Sequence, residues 1–316
     1  MKIKLTCVVV LLAVFLVSCN ASQNEADTHS TVPVTEAAAT TEPETDPEHQ
    51  TLMADAIAKP DLIMQEEMAI DLPEAGLKHL YVSSLAEGHV ISREKLYSAY
   101  VLRDYRYRDK YFHDSYLAVK TDLKILLKDL ENPSLGSALY LRDVDGDGLD
   151  EIIVQQTVDM SGGAGQFFSR VFKVVGDEIQ EIFNSPTIES QFDTGFTSKL
   201  KDGFQLEIKN RFTGYKATLD FSASKRYLGF YFDESGKVTR AETIHCDSFH
   251  TFVPEDVDGD GIFEIVCLQY VSLCGHSDGI GDAKTVLKWN GKTRTFAVIQ
   301  SELILYDEVA QEAEMR

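Results

Sequence analysis

The chain has 316 residues, 44% of them hydrophobic, which is enough for one large domain or two small ones with a real core. Lys and Arg number 30 against 51 Asp and Glu, a formal net charge of −21. So acidic a surface disfavours nucleic acid and anionic membrane as partners, because phosphate affinity comes from Lys and Arg; it suits cations.

Residues 1–18 read as a targeting signal. Lys2 and Lys4 form a positive n-region, and Leu5 to Leu16 form an apolar stretch of twelve residues, too short to span a bilayer comfortably. The stretch ends in Leu16-Val17-Ser18-Cys19, which resembles the lipobox of bacterial lipoproteins. That resemblance implies cleavage before Cys19, diacylglycerol on its sulfur, and a protein lipid-anchored to the cell membrane on the extracellular face; two acyl chains anchor stably. Residues 19–59, with the run TVPVTEAAATTEPETDPEH, hold almost no large apolar side chain. They are expected to form a disordered acidic stalk.

Residues 60–135 are expected to be a helical segment. Ser92 is placed to cap a helix with Glu94 in its first turn. Phe112, Tyr116, Val119, Leu123, Leu126, Leu127 and Leu130 step by three and four, so the spacing predicts one apolar helix face, stopped at Asn132-Pro133. The run Tyr105 to Phe112, YRYRDKYF, mixes aromatic and basic residues; it reads as a patch of an amphipathic helix rather than a nucleic-acid surface.

From residue 136 to 306 the period becomes two, which predicts a mainly β domain, with residues 307–316 left as a C-terminal tail. Turn signals punctuate the strands: Lys201-Asp202-Gly203, Glu234-Ser235-Gly236 between YLGFYF and KVTRAETI, and Asn290-Gly291. The stretch also repeats. DVDGDGLDEI from Asp143 recurs 113 residues later as DVDGDGIFEI from Asp256; Gln156, Val158 and Gly162 match Gln269, Val271 and Gly275. VFKVVG (Val171–Gly176) then matches VLKWNG (Val286–Gly291) at an offset of 115. The repeated unit is an antiparallel four-stranded meander of ~45 residues, the size of a propeller blade.

In the first acidic loop Asp143, Asp145, Asp147, the Leu149 carbonyl and Glu151 stand at positions 1, 3, 5, 7 and 9; in the second these are Asp256, Asp258, Asp260, the Ile262 carbonyl and Glu264. Gly148 and Gly261 at position 6 permit the tight turn. Odd positions of such a loop converge on one centre. Oxygen-only donors suit Ca²⁺, which takes about six to eight of them, better than Mg²⁺, which demands a tighter octahedron. Without a cation, carboxylates ~4 Å apart repel by ~1–4 kcal/mol per pair, so the crowding predicts a bound divalent ion. An EF-hand is excluded: it wants a Glu at position 12, where this chain has Val154 and Cys267.

The D-x-D-G-D-G-x-x-E loop between strands resembles the FG-GAP/VCBS repeats of integrin-α-like β-propellers and bacterial surface proteins. The resemblance implies Ca²⁺ ligation by both acid sets and blade-like sheets. The chain is too short for seven blades, so a partial or small β-propeller is expected.

No catalytic set stands out. His245-Cys246-x-x-x-His250 reads as strand packing, since His245 faces away from the other two in a regular strand. Ser161–Gly165 and Gly275–Gly281 are glycine-rich without a following helix, so they read as loops joining the second and third strands of each repeat and as the best candidate binding rim. Cys246, Cys267 and Cys274 allow one disulfide plus a free thiol, or three buried thiols. Together these features predict a non-enzymatic, calcium-binding surface module for an extracellular protein or glycan, with a hydrolase or accessory subunit for extracellular polymers as the alternative.

Overall fold

A computed structural model describes residues 69–72, 77–104, 114–132, 134–159, 165–185 and 192–315, all within the compact unit Lys59–Arg316. The expected signal segment, Cys19, the stalk, the run Tyr105–Phe112 and most of the first glycine-rich loop lie outside the described residues. Among the described residues no helix is long and apolar enough to cross a membrane.

The architecture is mainly β. The first sheet runs in sequence order through β1 (Ala69–Leu72), β2 (Leu77–Gly88), β3 (Tyr97–Asp104), β4 (Ser115–Lys120) and β5 (Ile125–Asp129). The second is the meander β6 (Gly136–Arg142), β7 (Glu151–Asp159), β8 (Gln166–Val175) and β9 (Glu178–Ser185). The third contains β10 (Phe196–Lys201), β11 (Gln205–Asn210) and β12 (Lys216–Asp220). The fourth is the meander β13 (His245–Glu255), β14 (Glu264–Ser272), β15 (Gly279–Asn290) and β16 (Thr295–Leu305). The two sequence repeats are the second and fourth sheets.

The helical reading of 60–135 is wrong for the described residues. Thr121 ties a hairpin turn, its amide donating to the Lys124 carbonyl (2.9 Å) and its hydroxyl accepting from the Lys124 amide (3.0 Å). Leu123, which a helix face would bury, is 96% exposed at that turn. Leu117, Val119 and Leu126 point into the core shared with the second sheet, while Tyr116, Ala118 and Leu127 line the other face. Two period-two strands folded about a short turn reproduce a three-and-four spacing. Ser92 and Glu94 lie in the β2–β3 connection.

Burial explains the run EIIV at the start of β7. Ile152 and Val154 enter the core between the first and second sheets; Ile153 enters the core between the second and fourth. A strand covered on both faces need not alternate. Phe183 bridges the second core, stacking on Phe252 (5.5 Å between centroids) and meeting Phe296 edge-on (5.3 Å). Fully burying side chains of this size contributes ~1.5–3 kcal/mol each.

The fourth sheet uses one face twice. On β14, Ile265 and Cys267 pack toward the second sheet, while Val271, on the same face, packs with Leu206, Ile208 and Leu219 of the third. The segment expected as the strand YLGFYF is instead a tight series of turns, because Lys225, Tyr227 and Gly229 adopt left-handed backbone; Tyr227, Tyr231 and Phe232 still fill the core. The expected tail is structured as well. It forms the short helix α1 (Asp307–Glu312) and β17 (Glu314–Met315), which pairs with β12 as the third sheet's fourth strand.

Candidate metal centre

Each acidic loop is the first hairpin connection of a repeat. Arg142 pairs with Glu151 across the base of one, and Glu255 with Glu264 across the other. The position-9 acid therefore opens the second strand and is fully buried in both copies.

The loops are built by the same hydrogen bonds. Asp143 accepts from the amides of Gly146 and Gly148, both at 2.7 Å; Asp256 accepts from Gly259 (2.8 Å) and Gly261 (3.2 Å). Glu151 accepts from Val144 (2.9 Å) and Glu264 from Val257 (3.0 Å). Asp147 accepts from Leu149 (2.9 Å), and Asp260 from Ile262 (2.8 Å). Both glycines of each D-G-D-G run have φ between 75° and 84°, so position 4 needs a glycine as much as position 6 does.

The first acid of each loop thus spends both oxygens on backbone amides. The other three each keep one oxygen turned inward, and those oxygens surround a lysine. Lys173 Nζ, from β8, contacts Asp145, lies 2.8 Å from Asp147 Oδ2 and 3.0 Å from Glu151 Oε1. Lys288 Nζ, from β15, lies 2.7 Å from Asp258 Oδ2, 3.3 Å from Asp260 Oδ2 and 2.6 Å from Glu264 Oε1. Glu151 Oε1 and Glu264 Oε1 are buried and make no other polar contact, and neither has hydrogen-bond geometry to its lysine. Ligand oxygens of Asp143, Asp145 and Glu151, and of Asp256, Asp258 and Asp260, lie within 4.8 Å of one another.

The electrostatics follow from this crowding. Burial pushes the Glu151 carboxyl up to about 7, against the pull of the Val144 amide and Lys173. Partial burial also works to raise Asp147, but Lys173 and the Leu149 amide outweigh it and hold Asp147 below its ordinary value. Lys288 holds Asp258 low. Both lysines are raised: Lys173 against its own burial, by Asp145, Asp147 and Glu151, and Lys288 by Asp258 and Glu264.

Sequence reasoning brought the eight acids together but missed the two lysines. The signal was present, since Lys173 and Lys288 are the shared third residue of VFKVVG and VLKWNG. It also missed that the loops touch: the Phe263 amide donates to the Asp143 carbonyl (2.8 Å), and the Arg142 guanidinium lies 5.2 Å from the centre of the Phe263 ring. The surroundings differ. Arg93, from the β2–β3 connection, donates to the Asp147 carbonyl and packs on Gly148, whereas the second loop's aspartates are exposed.

A second polar cluster lies on the fourth sheet. His276, in the glycine-rich β14–β15 loop, contacts buried Asp247 at 3.0 Å, and His250 contacts Asp282 at 3.0 Å, which also accepts from Tyr306 (2.9 Å). The strict alternation expected for His245–His250 is broken by irregularities in β13 on either side of Phe249. Cys246, Cys267 and Cys274 form no disulfide with one another and are half-buried, buried and exposed in turn, so neither expected cysteine arrangement is met.

The YybI C-terminal domain family matches residues 194–304, the span of β10 to β16. This stretch includes the second acidic loop and not the first. A relative from Bacillus subtilis (strain 168), the uncharacterized protein YybI, is 24% identical over 166 residues, 52% of this chain and 62% of that protein. The chain therefore spans less than two thirds of that relative's length. No solved structure matches it.

Proposed function

We propose that this protein is a lipid-anchored extracellular binding module, related to FG-GAP/VCBS repeats, whose blade-like sheets form a partial propeller braced by Ca²⁺ in two acidic loops. One observation carries the calcium reading: in both loops, inward oxygens of three acids close around a single cationic nitrogen. The donors fit the ion. They are hard carboxylate oxygens on one loop, with the Leu149 and Ile262 carbonyls proposed as further ligands, and nothing soft or nitrogenous among them selects a transition metal. The binding reading rests on the rim loop 273–278, whose exposed His276 ring stacks on Tyr270 of β14 with the ring planes 5° apart, an aromatic surface suited to a glycan or peptide.

Thermal unfolding of the full chain in millimolar Ca²⁺ and in EDTA tests the first part. An ion at one hundred times its Kd stabilises by ~2.7 kcal/mol, so a clear rise in Tm is expected. Identical Tm values in the two conditions sink the calcium reading.

A further inference from the structure

We propose that Lys173 and Lys288 are built-in counter-cations of the two acidic loops, and that a divalent ion enters each loop only by expelling its lysine ammonium into solvent. The inference rests on the calcium reading above and specifies how the site is regulated.

The argument is one of shared space. Each ammonium contacts one inward oxygen from three acids, and the three span positions 3, 5 and 9 of the loop. Ca²⁺ holds its oxygens at ~2.3–2.6 Å, so an ion bound by the same oxygens occupies the same volume. Glu151 Oε1 and Glu264 Oε1 make the point sharper. Each is buried, aimed at the centre, and has only the off-axis lysine for company; an ammonium satisfies them through charge, and a metal, with no directional hydrogen, satisfies them better. Two cations side by side in that volume repel, so the exchange is one for one. A lysine is suited to leave: its stem is flexible and its head group is strongly hydrated once free. Both lysines keep a path to water, with 20% and 30% of their side chains exposed.

Two consequences follow. The loops stay closed without metal, because the chain carries its own substitute ion. Calcium affinity is weakened by the fraction of time the lysine is out, since apparent Kd scales inversely with that fraction. The sites are also graded. Lys173 is the less exposed, and Arg93 adds a second cation at the first loop, so Lys288 yields first.

The test uses the full chain. In the wild type, acetylation rates of Lys173 and Lys288 by an amine-reactive reagent are read by mass spectrometry with and without Ca²⁺, with exposed Lys292 as the control. In parallel, Ca²⁺ binding is titrated calorimetrically in wild type, Lys173→Met, Lys288→Met and the double variant. Expected are at least a severalfold rise in labelling of both lysines with Ca²⁺, an unchanged Lys292, and roughly tenfold or more tighter binding at each freed loop, equivalent to ~1.4 kcal/mol. If the wild type binds Ca²⁺ while neither lysine gains reactivity and the Met variants bind no tighter, the exchange is overturned and the calcium reading stands. If Met variants bind and the wild type does not, the lysines hold their role and the native calcium reading falls. If none binds, both fall. The labelling arm needs no substitution, so a variant that fails to fold leaves the exchange testable.

Discussion

The amide of Phe263 donates to the carbonyl of Asp143 at 2.8 Å, joining the second acidic loop to the first although the residues are 120 apart in sequence. A Cβ added at Gly146 would meet Ile262 Cδ1 at 2.8 Å, whereas one at Gly259 would meet nothing within 4 Å. Both glycines have left-handed backbone. Gly259→Ala is expected to cost ~1–2 kcal/mol from the backbone alone, and Gly146→Ala ~1 kcal/mol or more beyond that from crowding between the loops. Urea denaturation measures the difference, and Ile262→Ala should recover part of it in the Gly146→Ala background.

Removing the lysines should destabilise the calcium-free protein unequally. Lys173→Met strands Glu151 and Asp145 in the more enclosed loop and is expected to cost ~1–3 kcal/mol, below the usual figure for a fully buried pair because the lysine keeps some solvent. Lys288→Met, in the open loop, is expected to cost ~0–1 kcal/mol. Equal losses in denaturant titrations would contradict the asymmetry between the two loops.

The cysteines should differ in reactivity. Burial pushes the Cys246 thiol up to about 12 and raises Cys267 well above its ordinary value, while Cys274 is exposed. Since the thiolate is the reacting species, iodoacetamide should modify Cys274 in the native protein and all three described cysteines only after unfolding. Mass spectrometry of native and denatured samples reads this directly.

Asp247 links stability to pH. Its burial raises its pKa, opposed by His276, His245 and His250. A carboxyl raised in the fold contributes stability that is complete below its unfolded pKa and is lost as pH rises through the folded value. Asp247→Asn carries no charge and keeps an oxygen for His276. Its Tm should exceed the wild type's near pH 7, with the gap closing near pH 3; a constant gap across that range would rule out the linkage.

The C-terminal segment is part of the core. Val309 is 2% exposed and packs with the third and fourth sheets, and Glu312 is bound by Arg226 at 2.6 Å. Val309→Ala is expected to cost ~1–3 kcal/mol, measured by thermal or chemical unfolding. No measurable loss would mean that α1 is not docked in solution.

Much of this was legible in the sequence, for local reasons. The meanders β6–β9 and β13–β16 announce themselves by repetition, and the convergence of the acids follows from odd-position spacing in a loop pinned by two glycines. The misses came from longer range. Tyr116, Val119, Leu126 and Leu127 imitate a helix face because a hairpin turn at Thr121 shifts the phase of two alternating strands, which in fact send them to two different cores. The pairing of Met315 with Leu219 depends on how sheets stack, which no local pattern encodes. Lys173 escapes a sequence reading because a lone lysine in a strand reads as a solvated charge until the strand register, with Ile152 opposite Phe172, sets it across from Glu151.

The third sheet has an implication for synthesis. Its outer strand, β17, follows β12 only after the whole of β13 to β16. Emerging from the ribosome in order, the first two sheets can set while later residues are still being added, and the fourth can follow as a hairpin stack of neighbours in sequence. The third must wait with β12 unpaired on one side until Glu314 and Met315 arrive. Its exposed rim is therefore a stretch open to rescue or capture by chaperones during biogenesis, and among the four described sheets it is the last to seal.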